Sequence, residues 1–176
     1  MKPLALSVGD PSGVGPELAA AAWRGRAENA VPPFFLLADP ALVAARARLV
    51  GLDVPIRECA PAEAAAAFAI ALPVAPLAHR MGDTPGISSV TNAAGVIEAI
   101  DRAVDAVRDG AASAVVTAPI AKKTLYDAGF RFPGHTEYLG HLSATRFGVA
   151  ATPVMMIAGP DLRTVPLTIH IALSAV

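Results

Sequence analysis

The segment "PGHTEYL" holds the densest group of side chains that could bind a charged ligand. His135, Thr136 and Glu137 are consecutive polar residues at the start of a predicted helix, where backbone N–H groups favour an anion. A structural alternative is a capping box in which Thr136 caps the helix and Glu137 lies near the positive end of its dipole. Capping does not account for His135, which is therefore a candidate for binding an anion or a proton.

His170 is a second candidate, because it lies inside the apolar segment "VPLTIHIAL". A lone histidine in a buried strand is usually a core residue, but histidine is also a common ligand of divalent metals. No second ligand stands near His170 in the sequence, so both interpretations remain open on the residues alone. His79 and His141 also lack neighbours of this kind and are predicted to be surface residues.

The segment "SVGDPSGVGPEL" places Gly9, Asp10, Gly13 and Gly15 between a short apolar run and a helix. Such segments hold phosphates in many proteins, but they also form plain strand-to-helix turns. The spacing G-x-x-x-G-x-G departs from the dinucleotide fingerprint G-x-G-x-x-G. Asp39 ends the next predicted strand, where an acidic residue can bind a ribose, but Pro40 after it favours a helix start instead.

The segment "TAPIAKK", residues 117–123, follows a predicted strand and enters a helix. Its N–H groups could therefore face a ligand at the carboxyl edge of a sheet. We expect Lys122 to point into that region and Lys123 to point outward. The alternative is a pair of surface lysines in the first turn of a helix.

Short apolar runs alternate with helical patterns along the chain, which predicts an α/β fold with parallel strands. The clearest helix is 90–108, because apolar residues recur on one face, namely Val90, Ala94, Ile97, Ile100, Val104 and Val107. Residues 73–88 are predicted to be loop because prolines and glycines interrupt them. We predict no internal domain boundary. The other predicted strands are 4–8, 34–38, 54–57, 113–117, 153–157 and 164–170, and the other predicted helices are 16–23, 40–49, 60–69, 120–128 and 136–144.

The composition excludes several classes of protein. Of the 176 residues, 54% are hydrophobic and 16% are charged, which excludes a disordered chain. Fourteen Lys and Arg against 15 Asp and Glu leave no basic surface for nucleic acid or for an anionic membrane. A single cysteine, Cys59, fits a reducing compartment, and no segment resembles a signal peptide or a membrane span. We therefore expect a cytoplasmic protein.

Four segments, "GDPSGVGPEL", "TAPIAKKTLYDAGF", "FPGHTEYL" and "TVPLTIHIAL", occur in the order found in the 4-hydroxythreonine-4-phosphate dehydrogenase family of vitamin B6 synthesis. The whole chain resembles the first half of that family. The apolar run to the last residue likewise suggests a fragment. The first segment is also similar to the "GDGIGPE" turn of isocitrate and isopropylmalate dehydrogenases, whose α/β sandwich fold the family shares. The resemblance implies that this turn lies beside an active-site cleft.

The resemblance also implies roles for individual residues. The His-Thr pair that binds substrate in the family matches His135 and Thr136, and the first metal ligand of the family matches His170. The family motif "TTHIPL" is "TIHIAL" here, so Ile169 and Ala172 replace a threonine and a proline. Lys122 could stabilise charge or transfer a proton.

The function implied is an NAD- or NADP-dependent oxidation of phosphorylated hydroxythreonine, assisted by zinc, magnesium or cobalt, in a homodimer. The remaining metal and substrate residues of the family belong to the half that this chain does not match, so the fragment alone is expected to be inactive. Two alternatives are a related enzyme acting on a four-carbon sugar-acid phosphate or a cis-dihydrodiol, and a truncated chain without catalysis.

Overall fold

The computed structural model describes residues 2–168, 171, 172 and 174. They group into two compact units, Met1–Arg131 and Phe132–Val176. The sequence indicates no such division, and the prediction that residues 1–176 form one part of a larger fold stays a prediction. Among the described residues, no helix has the length and apolar character needed to cross a membrane.

Unit Met1–Arg131 is built on a parallel sheet of five strands in the order β3-β4-β2-β1-β5, which confirms the predicted α/β class. Helix α1 packs on α2, and α4 lies across β1, β2 and β5. The strands are β1 (Leu4–Ser7), β2 (Phe34–Ala38), β3 (Ile56–Glu58), β4 (Leu72–Pro76) and β5 (Val115–Thr117), and the helices are α1 (Gly15–Arg24), α2 (Pro40–Leu49), α3 (Ala64–Ala67), α4 (Ala93–Arg108) and α5 (Lys122–Asp127).

Strand β2 forms the centre of the sheet because all five of its residues, "FFLLA", are apolar and buried. The chain then turns directly into α2. Asp39 caps that helix, since its carboxylate accepts a hydrogen bond from the N–H of Ala41 at 2.9 Å. The capping interpretation of Asp39 is thus confirmed, and the helix bounds agree with the prediction.

Strand β4 shows that the prediction of a loop over residues 73–88 is wrong at its start. Residues Leu72–Pro76 form a strand between β3 and β2 despite two prolines. Pro73 precedes Val74, where the pairing with β2 begins, and Pro76 is the last residue of the strand. The missing N–H groups therefore fall near the ends of the ladder, where they cost little.

Helix α4 confirms the clearest helix prediction but not its buried face. Ile100 and Val104 are buried as expected, whereas Val90, in a single 3-10 turn before the helix, is half exposed. Small residues instead bring the helix close to the sheet. These are Ala93, Gly95, Ala99, Ala103 and Ala106, all of them buried.

Unit Phe132–Val176 begins with α6 (His135–Phe147) and continues to an antiparallel pair, β6 (Ile157–Ala158) and β7 (Arg163–Thr164). The predicted strands over 153–157 and 164–170 are therefore wrong in extent, because both observed strands are two residues long and residues 165–168 are not strand. Two paired strands are marginal as a sheet on their own, and all four residues of this pair are exposed. Residues 169 and 170 lie outside the described part of the chain.

Candidate active site

The glycine loop, residues 8–15, connects β1 to α1 and lies against the turn that follows β5. Gly9 has φ +73°, and a side chain there would overlap the carbonyl oxygen of Pro119. A side chain at Gly15 would overlap the carbonyl oxygen of Val8 and approach Cβ of Ala118 to 3.0 Å. These two glycines are required because the ends of two neighbouring strands meet there with no room for a Cβ atom.

Most polar groups of the glycine loop are already bonded within the unit. The N–H of Asp10 donates to the Pro119 carbonyl at 2.9 Å, and the N–H of Gly13 donates to the Asp10 carbonyl at 3.0 Å. The buried Asp10 carboxylate accepts from the N–H of Ser12 at 2.8 Å. The amides of Asp10, Ser12 and Gly13 are therefore bonded within the unit and do not point to a ligand.

Arg46 of α2 bonds to the glycine loop through a buried side chain, which is 3% exposed. It donates to the carbonyls of Pro11 at 2.6 Å and Gly13 at 2.7 Å. It also forms ion pairs with Glu17 of α1, through Nε at 2.8 Å and a second, shorter contact from Nη2, and with Asp83 at 3.2 Å. All its contacts are hydrogen bonds to charged or carbonyl oxygens, which is how a buried guanidinium is stabilised.

The 82–89 segment packs on the other side of the glycine loop. The N–H of Gly86 donates to the Ser12 carbonyl at 2.8 Å, and the Ser12 hydroxyl donates to the Ile87 carbonyl at 2.8 Å. Together with the ion pair between Arg46 and Asp83, these bonds join two loops at the carboxyl edge of the sheet. Ligands of open parallel sheets bind along this edge.

Helix α5 carries the two lysines of "TAPIAKK". Lys123 pairs with Asp127 one turn later, with Nζ and Oδ2 at 2.7 Å, and it is exposed as expected. Lys122 is the first residue of the helix and is also exposed. The turn before it touches the glycine loop through Pro119 and Ala118, so the structure brings these two predicted segments together.

His135 and Thr136 are the first two residues of α6, with Gly134 as the N-cap. Thr136 is therefore inside the helix and does not cap it, so the capping-box alternative is wrong for Thr136. His135 is half-buried, whereas Thr136 and Glu137 are exposed. Both candidate side chains thus lie in the first turn, close to the positive end of the helix dipole.

Two cavities adjoin Thr136 within this unit. One, of about 340 Å³, lies along α6 and is lined by Gly140, Ser143 and Pro153 among others. The other, of about 410 Å³, is bounded by Thr136 and by residues 165–168. Thr168 is two residues before His170, so the segment that lines the cavity continues into the predicted metal ligand. His170 itself lies outside the described residues.

The other histidines are surface residues, as predicted, but each makes a contact that the sequence does not indicate. His79 bonds to Glu98 through Nδ1 and Oε2 at 2.8 Å. The His141 ring is stacked with the Tyr138 ring, with centroids 6.3 Å apart, and is tilted against the Phe132 ring, with centroids 5.0 Å apart. No three His, Cys, Asp or Glu side chains gather as a metal site within residues 2–168, 171, 172 and 174.

The network around Arg46 is the part of the site that sequence reasoning missed. One signal was present, because Arg46 follows Leu42 and Val43 at the i+4 and i+3 spacing of a buried helix face. An arginine in such a stripe must bond to buried acceptors or leave the core. Its acceptors could not be named from the sequence, since Pro11, Gly13 and Asp83 are distant along the chain.

Comparison with known proteins identifies the family. A family model described as pyridoxal phosphate biosynthetic protein PdxA matches residues 30–176. The chain belongs to the PdxA family. A 4-hydroxythreonine-4-phosphate dehydrogenase of Methylorubrum populi is 51% identical over 99% of this chain, and one of Bradyrhizobium diazoefficiens is 46% identical over 98%. The chain spans 51% and 52% of these two relatives, which is about half of their length.

Solved structures of proteins with the same family name have the same fold as this PdxA-family chain. A 4-hydroxythreonine-4-phosphate dehydrogenase from Burkholderia phymatum superposes with a TM-score of 0.83 at 27% identity, over 99% of this chain and 52% of that one. One from Klebsiella pneumoniae gives 0.82 at 29% identity, covering 53% of its chain. A terephthalate 1,2-cis-dihydrodiol dehydrogenase from Burkholderia xenovorans has a TM-score of 0.70 at 21% identity over half of its length, and shares the fold.

Proposed function

We propose that the full-length protein oxidises 4-phosphooxy-L-threonine with NAD or NADP. The product is a β-keto acid, which loses carbon dioxide to give 3-amino-2-oxopropyl phosphate for pyridoxal phosphate synthesis. One observation carries this proposal: the chain is 51% identical, over 99% of its length, to a protein named 4-hydroxythreonine-4-phosphate dehydrogenase. The four sequence motifs of the family fall within that aligned length.

His135 and Thr136 are proposed to bind the phosphate of the substrate. They lie in the first turn of a 13-residue helix, where the backbone carries a partial positive charge. An imidazole N–H and a hydroxyl can each donate to a phosphate oxygen, and bonds to a charged acceptor are stronger than neutral ones. The cavities beside Thr136 provide space for a small molecule at this turn.

Lys122 is proposed to stabilise negative charge that develops on the substrate, or to transfer a proton. It begins α5 directly after the turn that contacts the glycine loop, and it makes no hydrogen bond or ion pair with another described residue. An exposed ammonium without a partner is available to a ligand at low desolvation cost.

His170 is proposed as one ligand of a divalent metal, zinc, magnesium or cobalt. A catalytic divalent site usually takes about three ligands from the protein, and the described residues of this chain do not group into one. The rest of the ligand set, and the binding of the nicotinamide cofactor, are therefore assigned to residues beyond this chain. The glycine loop is not proposed to bind the pyrophosphate of the cofactor, since its spacing departs from the dinucleotide fingerprint and its amides at Asp10, Ser12 and Gly13 are bonded within the unit.

The full-length enzyme is proposed to be a homodimer.

The test of function is an assay of the full-length protein with NAD or NADP, a divalent metal and 4-phosphooxy-L-threonine, following reduced cofactor and released carbon dioxide. We expect both products in equal amounts. Turnover of a cis-dihydrodiol or a four-carbon sugar-acid phosphate in preference to phosphooxythreonine would instead favour a related enzyme, and no turnover of any of the three would contradict the proposal.

A further inference from the structure

Arg46 is a buried charge that belongs to none of the motifs of the chain. Its guanidinium bonds to two carbonyls of the glycine loop and to the carboxylates of Glu17 and Asp83. These four partners come from three places in the sequence: the loop after β1, the first turn of α1 and the 82–89 segment. A single side chain of α2 therefore contacts the glycine loop, α1 and the 82–89 segment at this edge of the sheet.

We propose that Arg46 is a positioning residue of the active site, which fixes the glycine loop and the 82–89 segment in one arrangement. The link to catalysis rests on the proposed function, because only the resemblance to the family implies that the glycine loop lies beside the active-site cleft. The structural part of the proposal, that Arg46 sets the shape of both loops, stands on the contacts alone.

The planar fork of arginine is needed for this set of partners. Nη1 reaches Pro11 and Asp83, Nη2 reaches Gly13, and Nε faces Glu17, so the acceptors lie around one flat group. A lysine ammonium keeps the charge but is a single point with three donors, and it cannot meet acceptors spread around a guanidinium. Arg46→Lys therefore preserves the ion pairing in part while releasing one or both loop carbonyls.

Glu17 supplies a negative charge from α1 that pairs with the Arg46 guanidinium. Its Oε1 receives both contacts from Arg46, while its Oε2 is buried and has no hydrogen-bond partner among the described residues. No other lysine or arginine in the described part of the chain pairs with Glu17. The glycine loop thus lies between a helix that carries the cation and a helix that carries its counter-charge.

The 82–89 segment depends on the glycine loop in turn. Asp83, Gly86 and Ile87 bond to Arg46 and Ser12, while Gly82 at the start of the segment is held separately by the Asn92 side chain, and most of the other residues are exposed. If Arg46 releases the carbonyls of Pro11 and Gly13, Ser12 between them moves as well. The effect of Arg46 is therefore expected to pass through Ser12 to Gly86 and Ile87.

The test compares Arg46→Lys with Arg48→Lys in the full-length protein without substrate. Arg48 is an exposed arginine on the same helix that makes no contact with these loops, so its variant controls for the loss of a guanidinium. Hydrogen exchange should show the amides of Ser12, Gly13 and Gly86 exchanging at least about tenfold faster in Arg46→Lys only, with the amides of β2 unchanged. Uniform acceleration across the unit, or none, would overturn the proposal.

A kinetic comparison tests the link to the active site. In Arg46→Lys, kcat/KM should fall at least about tenfold at temperatures where the variant is fully folded, because misplaced site groups lose catalytic power. A purely structural role would leave kcat/KM unchanged there. If Arg46→Lys does not fold, Glu17→Gln removes the counter-charge with the same shape, and the same amides should respond. The exchange measurement remains decisive if the wild-type protein lacks the proposed activity.

Discussion

The glycine loop and the first turn of α6 differ in how many buried groups hold them in place. The loop has tight backbone contacts at Gly9 and Gly15, occupied amides and a buried guanidinium beneath it. The turn of α6 is capped by Gly134 without a side-chain bond, and the segment that follows the helix is exposed. Val154, Ile157 and Leu167 of that segment are 62–85% exposed, with Ile157 lowest and Leu167 highest.

This difference indicates which of the two regions is held in place by the chain's own described residues. Exposed apolar side chains in this number are unusual for a finished surface, and the chain spans only about half the length of its relatives. We therefore expect the glycine loop to be formed in the chain alone, whereas the region around α6 requires the rest of the protein.

The largest expected effect is a complete loss of turnover in the 176-residue chain alone. Its described residues contain no group of metal ligands, and only His170 is a candidate from the motifs. The measurement compares cofactor reduction by the purified chain and by the full-length protein, with a metal-chelated sample of each as the blank. Activity of the chain above its blank would mean that its own residues complete the site.

His170→Leu in the full-length protein is expected to abolish metal-dependent turnover while leaving the fold nearly intact. Leucine cannot bind a metal ion, so the variant lacks one of the proposed ligands, and added metal should not restore turnover. Calorimetric titration of zinc, magnesium or cobalt into wild type and variant measures binding separately from activity, and unfolding curves check the fold. Wild-type metal affinity together with wild-type turnover would make His170 a core residue.

Gly9→Ala tests how tightly the glycine loop is packed. Gly9 and Gly51 both have positive φ, +73° and +71°, but only Gly9 lies against backbone atoms, since nothing is within 4 Å of the position of a Cβ at Gly51. Both alanines cost about 1–2 kcal/mol for the left-handed backbone. Gly9→Ala should cost at least about 2 kcal/mol more, because the loop or the turn at Pro119 must shift. Denaturant unfolding measures the difference, and equal losses would show that the contact is not tight.

The sequence alone predicts the elements that local residues determine, but not the contacts between distant segments. Asp39 and Pro40 fix the start of α2 locally, and β2 is five consecutive apolar residues, so both elements were predictable. The role of Arg46 was not, because its partners depend on how distant segments meet. The strands after α6 were overpredicted, since "VPLTIHIAL" has the apolar pattern of a buried strand and the described part of the unit supplies no layer to bury it.

His135→Ala tests the α6 side. In the full-length protein it is expected to weaken binding of the phosphorylated substrate by about ten- to a hundredfold, which corresponds to a lost charge-assisted bond of about 1.5–3 kcal/mol. The fold should be unchanged, because the half-buried ring lies in the first turn of α6. Glu137→Ala, an exposed neighbour, is the matched control. If KM for phosphooxythreonine is the same as in wild type, His135 does not bind the phosphate.

The smallest expected effect concerns Glu98, which fastens the chain after β4 to α4. Burial alone would raise the pKa of its carboxyl, but the N–H groups of Ala78 and His79, the His79 ring and Arg102 outweigh burial and lower the pKa to about 2. The Ala78 N–H donates at 2.8 Å and the His79 N–H at 2.9 Å. Bonds to a charged acceptor stabilise a fold by about 1.5–3 kcal/mol when they are buried, and by less here because the bonded groups are exposed to solvent.

The sign of the pH dependence follows from that lowered pKa. The folded state holds Glu98 ionised, so its contribution is fully present above the unfolded pKa of about 4.3 and is lost as the pH falls towards 2. Glu98→Gln should therefore lower the stability of the unit at pH 7, and the gap to wild type should close between about pH 4.5 and pH 2. Thermal unfolding across this range, with exposed Glu28→Gln as the control, gives the measurement. A gap that stays constant with pH would assign the effect of Glu98 to packing instead of its charge.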